Sequence, residues 1–407
     1  MQPMRWLESE PSLVVPIDVR IALLNRAIEA GPRNPLLRQQ LGDALDRRGD
    51  LRGAVEALEI AATLAPEDFS AWASLARLYT KLGEPNAALA ACDRAAVPAA
   101  AICYQRGVAL RALRRSDEAR LAFLSAMKLD DRDLASVKAL LAPLARDPDG
   151  GLLLEFCDSL SPYCRDTALI RAHRAIAFSR LGRTEDALEI VDLDRHVARV
   201  PMPVPPPFDT ITQFNAALAQ EILADPTPAS VSREGLDLRY EPSTSRSPAL
   251  LALYAFARAA MEAYAGETAQ RGLDRVQPPP PEQARLFTSN VVLRQDGRNG
   301  EHVHAQAYIS GVYHVVVPDS VREAGDERGS LAVGKCETYT GGHIPCWGTR
   351  HIKPVAGWLV LFPSHFFHDV VPTRSDAPRI SVAVDMRPVR PANAPGAVEG
   401  EFNPNED

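Results

Sequence analysis

Two hydrophobic rhythms divide this chain. Over Pro35–Asp68 (PLLRQQLGDALDRRGDLRGAVEALEIAATLAPED) apolar residues recur three and four apart, which predicts two amphipathic helices parted at Gly49 and closed by Pro66. Small residues at Gly42, Ala54 and Ala61 mark where two helices cross closely. Leu45, Leu58, Trp72 and Tyr79 fill the space between them. From about Leu286 the period falls to two. LFTSNVVLR, HVHAQAYISGVYHVVV, GWLVLF and RISVAVDM read as short strands separated by Gly, Pro and Asp turns. Between the two regimes, residues 196–208 (HVARVPMPVPPPF) are too Pro-rich for a helix and predict a linker. A helix is expected at Thr210–Leu223, then a turn-rich loop, another helix at about Ala249–Ala265, and a break at Gln277–Pro281.

The helical pattern repeats. Shifted by 34 positions, Leu41 falls on Leu75, Gly49 on Gly83, Ala54 on Ala88 and Ala61 on Ala95. A third copy starts near Ala100, with Gly107, Ala119, Phe123 and Ala126 at the equivalent places. A degenerate copy covers 168–194, and residues 20–34 read as the second helix of a preceding partial unit. The pattern resembles the tetratricopeptide repeat, a helix–turn–helix unit whose stacked copies bury a continuous core. That resemblance implies a solenoid whose concave face takes a peptide or protein segment. A scaffold that positions or dimerises an attached domain fits the same pattern.

Together the two rhythms predict a multidomain chain: an all-α repeat solenoid over 1–195, a linker over 196–208, a jelly roll with flanking helices over 209–390, and a disordered acidic tail over 391–407. Composition adds exclusions. At 46% hydrophobic and 24% charged, the 407 residues match a globular protein rather than a fibrous or disordered one. Net charge is −7 with no Lys/Arg stripe, which argues against nucleic-acid binding. No apolar run reaches the ~18 residues of a membrane span, and the acids near the N-terminus do not suit a signal peptide. Six dispersed cysteines suit thiols in a reducing compartment, so the expected location is cytoplasmic.

The chemistry concentrates late in the chain. Seven of nine histidines lie between His302 and His368. His302 and His304, two apart on an expected strand, point to one face, where a distant His368 would close a metal site. Arg379 opens the strand RISVAVD, and an arginine at the mouth of an apolar barrel calls for an anionic partner such as a carboxylate.

His-x-His, a distant His, then Arg-x-Ser, within HVHAQAYISGVYHV, GWLVLFPSHFFHDVVP and RISVAVD, resembles the Fe(II)/2-oxoglutarate oxygenases found behind tetratricopeptide repeats. The resemblance spans roughly 208–390. It implies a jelly roll with Fe(II) and 2-oxoglutarate as cofactor and co-substrate and O2 as oxidant. His302 and His368 would be metal ligands. Arg379 and Ser381 would bind the C5 carboxylate of 2-oxoglutarate, with Asn290 and Tyr313 as further co-substrate contacts. The implied activity is hydroxylation of a C–H bond in a peptide, protein or carrier-bound amino acid brought by the repeats, in a chain that could also form a homodimer.

One position departs from the family. Its facial triad carries a carboxylate two residues after the first His, where this chain has His304. Three ligand sets are compatible: His302, His304 and His368, which is favoured; His304 with Gln306 in the acid's place; or His302 and His368 alone. The departure leaves two alternatives standing: a non-catalytic repeat adaptor or 2-oxoglutarate sensor, and a three-His cupin-type dioxygenase using no 2-oxoglutarate. Between Cys336 and His351, a zinc site could be drawn from Cys336, His343, Cys346 and His351. The irregular Gly-rich spacing favours a covering loop, with His343, Trp347 and His351 at the substrate entrance.

Overall fold

The computed structural model describes residues 4–7, 15–225, 229–240, 247–270 and 280–389. The expected tail at 391–407 and most of the Gln277–Pro281 break lie outside these residues. Contacts divide the chain into two compact units, one of residues 12–141 and one of residues 1–11 with 142–407.

The first unit is a helical repeat solenoid resembling the tetratricopeptide fold. Helix Ile17–Ala30 is the predicted half-unit. Three hairpins follow: Pro35–Arg48 with Leu51–Leu64, Phe69–Lys81 with Pro85–Arg94, and Ala100–Ala112 with Ser116–Leu129. Side chains cap these helices: Asn34, Asp50 and Asp68 accept from the backbone N–H of Leu37, Gly53 and Ser70. Gly49 and Gly83, 34 apart, both turn with positive φ (89° and 77°), the left-handed step that ends a helix and that glycine takes without strain. The small residues sit at close crossings: a Cβ on Gly42 would lie 2.7 Å from Leu58 Cγ, and one on Gly107 2.5 Å from the Phe123 ring.

The second unit is built on antiparallel sheets. Its strands are β1 (Arg5–Trp6), β2 (Ala198–Pro201), β3 (Val231–Arg233), β4 (Leu236–Tyr240), β5 (Gln283–Leu293), β6 (Ile309–Val316), β7 (Leu331–Val333), β8 (Arg350–Ile352), β9 (Trp358–Pro363), β10 (His368–Val370) and β11 (Arg379–Pro388). The main sheet runs β2-β9-β6-β11-β5-β4-β3, with β1 pairing parallel to β5, and the small sheet runs β10-β7-β8. This is the expected double-sheet jelly roll. The main sheet's outer face is covered by helices Ile211–Ala224 and Pro248–Gln270, close to the predicted bounds. Phe214, Leu218, Leu253 and Met261 pack there against Tyr313, Val382, Val384 and Leu361.

Three placements depart from the sequence reading. The expected linker contains β2, which pairs with β9 (Val200 opposite Leu359), because alternate residues of even a Pro-rich run can complete a sheet edge. The expected turn-rich loop holds the β3–β4 hairpin, which extends the main sheet beyond β5. The degenerate fourth repeat, helices Ala168–Arg180 and Thr184–Ile190, falls in the sheet-bearing unit. Its Ala175 and the following Val191 and Leu193 share a core with Val312, Val333, Phe362 and Phe366. The division between units therefore lies near residue 141 instead of 195.

Candidate metal and anion site

The site lies between the two sheets of the second unit, in a pocket that opens to solvent. Pairing sets its walls. Along β11, residues 379, 381, 383, 385 and 387 point to one face and 380, 382, 384 and 386 to the other. Ser381, Ala383, Asp385 and Arg387 line the pocket, as do their inward partners Phe287, Ser289 and Val291 on β5 and Ser310 and Val312 on β6. Leu238 and Tyr240 of β4 continue this wall, and Leu331, His368 and Val370 of the small sheet face it.

His302, His304 and His368 converge, each offering a ring nitrogen, with all three nitrogens within 4.8 Å of one another. The pair His302/His304 is not on a regular strand. His302 forms an isolated antiparallel bridge with His368, exchanging two backbone hydrogen bonds of 3.1 Å, and the His304 N–H donates to Ser364 O at 3.1 Å. A positive-φ turn at Gly300 and a turn at Ala305–Gln306 confine the extended stretch to these few residues. The spacing of two still puts both rings on one side, their centroids 5.1 Å apart.

Each ring has its Nδ1 on an oxygen that can only accept: His302 on Gly300 O (2.8 Å), His368 on Phe366 O (3.1 Å), and His304 on Asp385 Oδ1 and Oδ2 (2.7 and 2.6 Å). Nδ1 therefore carries the proton, and in the neutral ring Nε2 carries a lone pair. The Asn299 amide donates to His302 Nε2 at 3.3 Å, which agrees. Burial, then the neighbouring His302 and His304, holds His368 well below the ordinary imidazole range, so it is neutral. His302 Nε2 and His304 Nε2 stand 3.2 Å apart, a separation at which two neutral rings can share one cation. The donor set thus fits a divalent metal of the kind imidazole binds. Gln306 lines the pocket, but its amide nitrogen has no partner among the described residues.

The inner face of β11 also carries a buried cation. Arg379 is 1% exposed and has no carboxylate within ion-pair distance among the described residues. Its Nη1 donates to Ser381 Oγ at 3.2 Å and its Nη2 to His314 Nδ1 at 3.4 Å. Burial pushes its pKa down from 12.5 to about 10. His314, kept well below its usual range by burial and by Arg379 and Arg199, is neutral. With Nδ1 accepting, its Nε2 holds the proton. Arg379 Nε and His314 Nε2 are buried N–H groups with no acceptor among the described residues. A buried guanidinium whose Nε–H lacks an acceptor, beside the equally unsatisfied His314 Nε2–H, suits an anionic ligand. The carboxylate of 2-oxoglutarate meets that requirement.

The other expected residues lie elsewhere. Asn290 and Tyr313 oppose Val382 across β11 and so face away from the pocket; the Tyr313 hydroxyl donates to Asn215 Oδ1 at 2.8 Å among the covering helices. The segment between β7 and β8 is a loop, as expected. His343 meets Ser179 Oγ at 3.0 Å, the Trp347 indole donates to Gly334 O at 2.9 Å, and His351 pairs with Ala332 across β8 and β7. None of the three lines the pocket. Among the described residues the three-His group is the only metal-competent cluster, so Cys336, His343, Cys346 and His351 form no zinc site.

Sequence reasoning missed Asp385 and His314. The period of two that aligns Arg379 with Ser381 also brings Asp385 to that face, but its partner His304 and the pairing of His314 with Ser381 depend on long-range contacts that sequence spacing does not show. Lys335 also went unnoticed. Its Nζ stands 3.6 Å from Asp369 and 4.0 Å from Glu301, each the chain neighbour of a converging histidine.

Residues 290–385 match a family described as "Putative 2OG-Fe(II) oxygenase". Among solved structures, a prolyl-4-hydroxylase from Pseudomonas putida is 18% identical over 50% of this chain and 99% of its own, with a TM-score of 0.33. YrrB, a tetratricopeptide protein with an unusual peptide-binding site, is 17% identical over 42% of this chain and 91% of its own (TM-score 0.33). A tetratricopeptide repeat protein from Parabacteroides merdae is 19% identical over 44% and 72% (TM-score 0.34). Comparison with curated proteins gave no match. A helical repeat solenoid resembling the tetratricopeptide proteins thus precedes a jelly roll in which residues 290–385 carry the pattern of the 2-oxoglutarate/Fe(II) oxygenases.

Proposed function

We propose that this chain is an Fe(II)- and 2-oxoglutarate-dependent oxygenase that hydroxylates a C–H bond of a peptide, protein or carrier-bound amino acid. The observation that carries it is the convergence of three histidines between the two sheets, with a buried Arg379 on β11 that has no carboxylate partner among the described residues. Fe(II), 2-oxoglutarate and O2 together would supply oxidation of the C–H bond, the co-substrate leaving as succinate and CO2. His302, His304 and His368 would hold the metal through Nε2, their Nδ1 protons fixed on Gly300 O, Asp385 and Phe366 O. Arg379, Ser381 and the His314 Nε2–H would hold the remote carboxylate and so orient the co-substrate. Leu238, Phe287, Val291 and Val370 would keep water from the reacting centre and receive apolar parts of the substrate.

The repeat solenoid supports recruitment of a polypeptide, and six cysteines outside any disulfide suit a reducing cytoplasm. The three-His donor set also favours a second reading, a dioxygenase without 2-oxoglutarate, but that reading gives Arg379 no task. The test is turnover of the full chain with Fe(II), O2 and 2-oxoglutarate, following succinate release. Succinate formation that peptides stimulate, with a mass gain of one oxygen on the peptide, supports the proposal. Oxygen consumption without 2-oxoglutarate turns it to the second reading.

A further inference from the structure

The chain has no carboxylate at the position where a two-His-one-carboxylate centre would have one, because His304 stands there. A carboxylate is nevertheless present one residue further out. Asp385, 3% exposed on the inner face of β11, has both oxygens against His304 Nδ1, at 2.7 and 2.6 Å. The Ser310 hydroxyl on β6, directly opposite in the register, donates to Asp385 Oδ1 at 2.7 Å and fixes the carboxylate plane. Among the described residues the Nδ1 of His302 and of His368 meets a backbone carbonyl, whereas that of His304 meets a carboxylate.

We infer that Asp385 is a positioning residue that returns to the site, through the His304 ring, the negative charge a coordinating carboxylate would have brought. The inference rests on the reading that His304 is a metal ligand. A carboxylate on the remote N–H fixes the tautomer and raises the basicity of the opposite nitrogen, and its loss weakens metal binding by about 10- to 100-fold. An anion held in a buried site acts on a nearby cation with little screening. Asp385 reaches the site only across an imidazole, which leaves it out of the ligand set while its charge still counts.

The test is Co(II) titration of the metal-free full-length chain, read from the visible absorption of the bound ion, with no turnover involved. Asp385→Asn keeps an oxygen that can accept from His304 Nδ1 but removes the charge. It is expected to weaken Co(II) about 10- to 100-fold and to shift the Co(II) bands, while the metal-free chain melts as the wild type does. Asp385→Ala should lose at least as much, and His304→Ala more. Asp385→Asn binding within twofold of wild type with unchanged bands, while His304→Ala loses the metal, overturns the inference and leaves the three-His reading intact. If His304→Ala also binds like wild type, the three-His reading itself fails, and the inference with it. Should Asp385→Asn not fold, Ser310→Ala decides. A weakening of a few-fold with the same direction of band shift upholds the role, and an unchanged affinity and spectrum refute it.

Discussion

Replacing Arg379 by Met separates the cost of this residue from its use. The guanidinium is buried with no counter-ion among the described residues, and the fall of its pKa from 12.5 to about 10 corresponds to about 3 kcal/mol against the charged form. Met fills a similar volume and removes that penalty, while the bonds to Ser381 Oγ and His314 Nδ1 are lost at about 1 kcal/mol each. The net change is within about 1 kcal/mol, so the unliganded variant should melt near the wild type. Binding should behave oppositely. A buried carboxylate left without its guanidinium costs about 3–5 kcal/mol, or two to three and a half decades of affinity at 1.4 kcal/mol per decade. At 2-oxoglutarate 100-fold over the wild-type Kd, with Mn(II) as a redox-inert metal, ligand binding stabilises the wild type by about 2.7 kcal/mol, a rise of about 5–10 °C. The Arg379→Met variant should show less than about 1 °C under the same conditions. Scanning fluorimetry of both proteins, with and without 2-oxoglutarate, is the assay. A full wild-type shift in the variant would refute the reasoning, because the anion would then be seated elsewhere.

Three further outcomes follow from the same structure. Tyr313→Phe removes only the bond to Asn215, so it should cost about 1 kcal/mol in a urea melt and leave 2-oxoglutarate affinity unchanged; a loss of affinity would bring Tyr313 back into the co-substrate site. Gly107→Ala pushes a methyl group toward the Phe123 ring and should destabilise the repeat unit by about 1–3 kcal/mol, seen as an earlier thermal transition with Co(II) binding intact. His173 is held neutral between Leu169 O and the Tyr339 hydroxyl, and burial takes its pKa to about 4. Because the unfolded chain takes up that proton first, stability should be full above pH 6.5 and fall by up to about 3 kcal/mol between pH 6.5 and 4. His173→Gln should flatten that part of the curve in urea melts across the range, and an unchanged slope would count against it.

Local pattern carried far into this fold, and its failures share a cause. The repeat helices, their glycine turns and the close crossings at Gly42 and Gly107 depend on contacts within about 34 residues, so spacing alone revealed them. Strands β2 and β4 are short and join the main sheet by pairing with β9 and β5 far along the chain, a property no local window contains. The same holds at the site. His302, His304, His368, Arg379 and Ser381 could be picked out by residue type and spacing. Asn290 and Tyr313, expected as further co-substrate contacts, both oppose Val382, which points away from the pocket, and such facing depends on a register that residue type does not reveal. Asp385 was overlooked for the converse reason, since its importance comes from a partner 81 positions away.

The proposed centre is a metal that three imidazoles would hold beside a buried guanidinium that would seat the remote carboxylate of 2-oxoglutarate. Anaerobic reconstitution of the full chain with Fe(II), followed by 2-oxoglutarate titration, tests this most directly through the weak visible charge-transfer band of the chelate. The wild type should retain iron and develop the band, His302→Ala should lose both, and Arg379→Met should retain iron while the band requires far more 2-oxoglutarate. A wild-type chain that retains no iron and shows no band would contradict the account and leave a repeat adaptor with a jelly roll that does no chemistry.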